Sequence, residues 1–203
     1  MNKLSIRENR RLLKLRSKFL LSRGQKISFA DETERIQCLK KKGQFMGVIP
    51  VSLRHASYFY INFADDHVAD YIFWYGGFGY ERSSAVLFGH LASRAKYILD
   101  LGAYTGYYSI IAAVVGGSDN ILAVEANPLN YHRLLENFKL NGVRGKFVHS
   151  AIVPSGSQEQ TVDIFYNAQL RVLDTGSFVN HPEAELIPQK ASKKDFFRVQ
   201  TIS

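Results

Sequence analysis

At 203 residues, 46% of them apolar, the chain is long enough for one hydrophobic core and a smaller appendage. Its single cysteine, Cys38, excludes a disulfide framework and a cysteine-based zinc site, and fits a reducing, cytoplasmic compartment. The net charge of +8 sits at one end: residues 1–26 hold nine Lys and Arg against the one acid Glu8, which leaves residues 27–203 balanced at 17 basic and 17 acidic side chains, so no nucleic-acid partner is expected.

Residues 1–26 read as a basic amphipathic arm. Leu12, Leu15 and Phe19 recur at helical spacing, flanked by Leu13 and Leu20, opposite a basic face. Three placements stay open: docked on the chain's own body or a partner, in weak contact with a membrane surface, or disordered. No apolar run approaches the roughly 20 residues of a spanning helix. A secretory leader is not expected either, because Lys14, Arg16 and Lys18 interrupt the first apolar stretch.

Residues 27–95 read as an N-terminal cap of helical and β segments. Gly24 and the run Asp31-Glu32-Thr33-Glu34 suggest a break and a new helix start. Val48-Ile49-Pro50-Val51 and Tyr58-Phe59-Tyr60-Ile61-Asn62-Phe63 are β-branched and aromatic, as in strands. Asp65-Asp66-His67 with Asp70 reads as a turn and helix start rather than a metal cluster, since no second cluster matches it. The aromatic stretch from Tyr71 to Tyr80 is expected in core and lid, Gly76-Gly77-Phe78-Gly79 in a loop, and Val86, Leu87 and Leu91 on a helix.

From residue 96 the pattern alternates. Strand Tyr97-Ile98-Leu99 enters the loop Asp100-Leu101-Gly102-Ala103-Tyr104-Thr105-Gly106, and an apolar helix follows, stopped by Gly116-Gly117. Strand Ile121-Leu122-Ala123-Val124-Glu125 ends in an acid, and Asn127-Pro128 is an N-cap with proline at the first helical position. Tyr131, Leu134, Leu135 and Phe138 continue that helix to Asn141-Gly142, and Phe147 to Ile152 supplies a third strand. Strand, helix, strand, helix and strand in alternation predict a parallel α/β sheet. Beyond Pro154 the chain turns β-rich, at 161–166, 177–179 and 197–202.

The loop lies where such a sheet binds a nucleotide-like ligand, at the end of its first strand and the start of the next helix. Gly102 and Gly106 let backbone approach the ligand, and Glu125, some two dozen residues on, is spaced to accept hydrogen bonds from a ribose diol. A dinucleotide site wants a second glycine where Tyr104 stands, which disfavours a nicotinamide-dependent oxidoreductase. S-adenosylmethionine has no pyrophosphate, so the D-x-G-x-x-x-G spacing suits it better. Neither a Walker loop nor a G-x-S-x-G elbow occurs. His90, His132 and His149 read as structural, His149 being nearest the cofactor strand.

Asp100-Leu101-Gly102-Ala103-Tyr104-Thr105-Gly106-Tyr107-Tyr108-Ser109, Ala123-Val124-Glu125-Ala126-Asn127-Pro128 and Leu135-Glu136-Asn137-Phe138-Lys139-Leu140-Asn141-Gly142 together resemble the FkbM methyltransferase family, and Gly79-Tyr80-Glu81 resembles a pair that often precedes its loop. The resemblance covers about residues 70–203 and is strongest over 97–142. It departs at Tyr104, where the family has Asn, and at Ala126, where it has Pro. The resemblance implies a class I, Rossmann-like methyltransferase sheet with flanking helices. It implies S-adenosyl-L-methionine as cofactor and methylation of a hydroxyl on a sugar, polyketide or similar small molecule. Asp100, Gly102, Ala103, Tyr104 and Gly106 would meet the methionine end, with Glu81 near its amino group. Glu125 and Ala126 would meet the ribose, and Ser150 and Ala151 the adenine; the catalytic base is unassigned. Residues 96–203 would form a partial methyltransferase domain, since the family continues past a segment like Val199-Gln200-Thr201-Ile202-Ser203 into strands with a K-x-D-x-E-G motif. The C-terminal strands are then expected to be missing and the edge of the first strand unpaired. A fragment acting as a degenerate cofactor-binding or interaction module is the alternative reading.

Overall fold

The computed structural model describes residues 3–21, 43–165, 178–179 and 196–203; the expected break at Gly24, the helix start at 31–34 and Cys38 lie outside the described residues. The chain divides into two compact units, Met1–Ala85 and Val86–Ser203. The first unit therefore takes in both the basic arm and most of the cap, and the division falls before residue 96.

In the first unit, helix α1 (Lys3–Leu21) precedes strands β1 (Met46–Ser52) and β2 (Ser57–Phe63), which pair antiparallel from Met46 opposite Phe63 to Ser52 opposite Ser57. Their period-two alternation buries Ile49, Val51, Tyr58 and Tyr60 and leaves Phe59 and Phe63 exposed. Helix α2 (His67–Tyr75) starts at Asp66, whose carboxylate accepts from the Val68 and Ala69 N–H groups at 2.8 and 3.2 Å. Asp70 accepts from Gln44 and Asn62, so the acidic run is used as a helix start. The expected core role of the aromatic run is visible in α2, where Tyr71, Phe73, Trp74 and Tyr75 are all buried. Among the described residues no helix is long and apolar enough to cross a membrane.

Helix α3 (Arg82–Ala92) carries the chain from the first unit into the second. The apolar residues Val86, Leu87 and Leu91 lie on this helix, as expected, and are exposed. Small residues face inward in its place: Ala92 is buried beside Ile98 and Ala112, and a Cβ at Gly89 would lie 3.2 Å from Ile111 and Val115. Close approach of two helices needs small side chains at the crossing, and spacing alone cannot signal that.

In the second unit, β3 (Ile98–Leu101), α4 (Tyr107–Val114), β4 (Ile121–Glu125), α5 (Pro128–Asn141) and β5 (Lys146–His149) make a parallel sheet in the order β3-β4-β5. Each strand joins its neighbour through a helical crossover, the only short route between adjacent parallel strands. Helix α4 packs on β3 and β4, and α5 on β4 and β5. After Ser150, β6 (Ala151–Ile152) pairs parallel with β9 (Phe196–Ile202); β9 pairs antiparallel with β7 (Thr161–Phe165), and β7 with β8 (Phe178–Val179). A second core of Ala151, Val162, Ile164 and Val199 lies there. Ser150 links the two sheets: its N–H donates to the Glu125 carbonyl at 3.1 Å and its hydroxyl to the Gln200 carbonyl at 2.7 Å. Among the described residues β3 pairs with β4 alone, and Leu99 and Leu101 are exposed.

Candidate cofactor site

The β3–α4 loop is a tight backbone turn in which Gly102, Tyr104 and Gly106 all have positive φ, at 72°, 53° and 86°. The N–H groups of Gly102 and Ala103 both donate to the Val124 carbonyl at 2.9 Å, which fastens the loop across the end of β4. The two glycines are there for different reasons. A Cβ at Gly102 would meet nothing within 4 Å, so this face of the loop is open to a ligand. A Cβ at Gly106 would lie 2.4 Å from the Phe138 ring, so Gly106 serves the packing of α5 against the loop.

Tyr104 holds a left-handed conformation that asparagine accepts more readily than a bulky residue. The side chain of Tyr104 is buried, and its N–H donates to Glu125 Oε2 at 2.8 Å. Glu125 Oε1 accepts from the Asn127 N–H at 2.8 Å and from Asn130 Nδ2 at 3.4 Å. The acid at the end of β4 thus stitches the loop to the start of α5. Burial pushes the Glu125 carboxyl up from its ordinary value, and the hydrogen bonds from Asn127, Tyr104, Asn130 and Ala126 oppose that rise. Asp100 is also pushed up by burial, against the opposing bond from Ser109, whose hydroxyl donates to it at 2.6 Å.

Residues outside the expected site hold it in place. Asn127 caps α5, accepting from the Leu129 and Asn130 N–H groups, and Gly142 closes the helix in the left-handed region. Fully buried Asn137 donates to the Thr105 carbonyl at 2.9 Å. That bond ties the middle of α5 to the loop, a role for Asn137 that its position in the sequence does not signal. The rings of Tyr131 and His149 stack with centroids 5.1 Å apart, and His149 Nε2 lies 3.0 Å from the Ala126 carbonyl.

The structure brings Asp100, Gly102, Ala103, Tyr104, Gly106, Glu125 and Ala126 together at the ends of β3 and β4. Ser150 and Ala151 follow β5, with their groups already engaged: Ser150 bonds Glu125 and Gln200, and Ala151 is buried and paired with Thr201. Glu81 has a positive φ of 41° and belongs to the first unit. Among the described residues no group of three His, Cys, Asp or Glu side chains is placed to hold a metal ion.

Residues 68–168 match the family model described as the TRM5/TYW2 methyltransferase domain; the matched model is not that of the FkbM family which the motifs resemble. No curated protein matches the chain. Among solved structures, M. jannaschii TYW2 in complex with AdoMet is 22% identical over 51% of this chain and 43% of its own, with a TM-score of 0.36. A candidate transferase from Pyrococcus horikoshii is 23% identical over 50% and 36%, with a TM-score of 0.35. A SAM-dependent methyltransferase from Agrobacterium tumefaciens is 21% identical over 53% and 34%, with a TM-score of 0.36. The chain spans less than half the length of each of these proteins. The parallel α/β sheet and the family match over residues 68–168 together make this a class I methyltransferase fold.

Proposed function

We propose that the chain binds S-adenosylmethionine over the β3–α4 loop and transfers its methyl group to a hydroxyl oxygen of a small molecule such as a sugar or polyketide. The observation that carries the cofactor site is the convergence of the open face at Gly102 and the Glu125 carboxylate at the ends of two adjacent parallel strands. When bound, S-adenosylmethionine supplies a sulfonium methyl, an electrophile that needs no metal.

The chain's own groups fit that ligand. Glu125 accepts hydrogen bonds from the ribose hydroxyls, which replace the long 3.4 Å contact from Asn130. Gly102 leaves room for the ligand, and Asp100, held by Ser109, offers its carboxylate to the positively charged methionine end. A pyrophosphate fits worse: Tyr104 occupies the place of the second glycine, and its N–H is committed to Glu125. The reaction then rests on positioning, with the acceptor oxygen in line behind the methyl group.

The hydroxyl acceptor follows from the FkbM-like motifs. A second reading has its own support: members of the TRM5/TYW2 family typically act on tRNA, and residues 68–168 match that family. Methyl-tritiated S-adenosylmethionine, the purified chain and separated small-molecule and RNA fractions of a cell extract decide between them. Label in the small-molecule fraction supports the first reading, and label in RNA the second. Label in neither, with the cofactor bound, contradicts methyl transfer by this chain.

A further inference from the structure

Strand β3 has an open edge, and its sequence is not that of a protected one. The N–H groups of Ile98 and Gly102 donate toward β4, to the Asn120 and Val124 carbonyls at 2.9 Å. Bonding alternates along a parallel ladder, so the N–H and C=O groups of Leu99 and Leu101, and of Tyr97 just before the strand, turn to the outer edge. Their side chains are exposed as well. Ile98 clusters with Ala112, and Asp100 accepts from Ser109, both on α4, which sends Tyr97, Leu99 and Leu101 to the opposite face at 70, 58 and 53% exposure. Natural edges are blunted by proline, charge or a bulge. Here the outward positions are aromatic and aliphatic, and β3 runs in regular register with β4.

Helix α3 extends the apolar surface past the same edge. Because α5 packs on β4 and β5, the other flank of α4 is left for α3: Gly89 lies close to Ile111 and Val115, and Phe88 and Ala92 cluster with Ile98. Leu87 and Leu91 follow one another on the side of α3 turned away from α4, 58 and 56% exposed. Covering Tyr97, Leu99, Leu101, Leu87 and Leu91 removes roughly 500 Å² per copy, most of the about 800 Å² per partner that a stable interface buries.

An edge of this kind takes a strand with apolar outward positions, and β3 itself is one. In a two-fold antiparallel pairing centred on Leu99, Tyr97 stands opposite the partner's Leu101, Leu99 opposite the partner's Leu99, and Leu101 opposite the partner's Tyr97. All are hydrogen-bonded pairs, so the outward backbone groups of residues 97, 99 and 101 are satisfied and the cross-strand pairs on the exposed face are apolar. On the α4 face the same register sets Asp100 opposite the partner's Ile98. A register centred on Asp100 would instead oppose two carboxylates directly, which is unfavourable. We infer that two copies of the chain join through β3 in the Leu99-centred register, with α3 packed on the partner's α3 along the same edge. The dimer needs no cofactor, so it stands or falls apart from the proposed cofactor site.

The test is sedimentation equilibrium of the full chain without cofactor over about 1 to 100 µM. A monomer–dimer equilibrium is expected, and Leu99→Lys is expected to weaken it at least thirtyfold, because two like charges then meet at the two-fold axis. Circular dichroism checks the fold; should Leu99→Lys unfold, Tyr97→Lys, at the most exposed of the outward positions, is expected to weaken the dimer at least tenfold. Val86→Lys, at an exposed position of α3 outside the Leu87 and Leu91 row, is expected to dimerise as the parent does. Leu99→Cys in a Cys38→Ser background is expected to form an interchain disulfide on mild oxidation, since the Cα atoms of a hydrogen-bonded antiparallel pair lie about 5.5 Å apart. A parent chain that stays monomeric across this range overturns the proposal. So does association that Leu99→Lys and Tyr97→Lys leave unchanged, or a dimer that Leu99→Cys does not cross-link.

Discussion

Two glycines four positions apart in a motif look interchangeable until their surroundings are compared. Gly106→Ala drives a Cβ to 2.4 Å from the Phe138 ring in a left-handed conformation, so it is expected to cost about 2–4 kcal/mol, read as a lower melting point. Gly102→Ala meets no neighbour, so its stability cost is expected to stay near the conformational penalty of about 1 kcal/mol while cofactor affinity falls at least tenfold. Melting curves and ligand titration of the two variants separate these effects. Charge gives a second residue-level expectation. Burial raises the Asp100 carboxyl above its ordinary value, so the folded chain holds that proton more tightly than the unfolded one. A group raised in this way contributes stability at low pH that is lost as pH rises through its folded value. Asp100→Asn keeps an acceptor for Ser109 without the charge, so its melting point relative to the parent is expected to climb as pH rises from about 4 toward neutrality. A flat difference would remove the linkage.

Helix α5 ties the site together as an element. Asn127 at its start and Asn137 in its middle both bond backbone of the site, through the cap in one case and through the Thr105 carbonyl in the other. Asn127→Ala is expected to cost about 1 kcal/mol, and Asn137→Ala about 1–3 kcal/mol because a buried carbonyl loses its partner; chemical denaturation measures both. The cap was legible in the sequence, as Asn127-Pro128 is a local signal carried by adjacent residues. The role of Asn137 was not, because its partner lies 32 positions away and becomes a neighbour only once α5 packs on the loop. Local grammar likewise revealed α3 as a helix but not its inward face. Val86, Leu87 and Leu91 marked the helix and are exposed, whereas Gly89 and Ala92 make the contact.

For the molecule as a whole, the alternation of strands and helices was enough to predict the parallel sheet β3-β4-β5, and the glycine loop with its spaced acid was enough to locate Asp100, Gly102 and Glu125 at its strand ends. The meeting of β6 with β9 was not readable, since about 50 residues separate them and strand order leaves no mark on composition. Family was legible only coarsely. The loop, the acid and the capped helix resemble those of FkbM proteins, yet residues 68–168 match the TRM5/TYW2 methyltransferase domain, so these local features do not distinguish the two families. The proposed cofactor site is centred on Gly102 and Glu125. Calorimetric titration of the 203-residue chain with S-adenosylmethionine, with NAD as control and Glu125→Ala as variant, tests it most directly. The expected result is saturable binding of S-adenosylmethionine, weakened at least tenfold by the substitution, with no binding of NAD. Affinity unaltered by Glu125→Ala, or tighter binding of NAD, would contradict it.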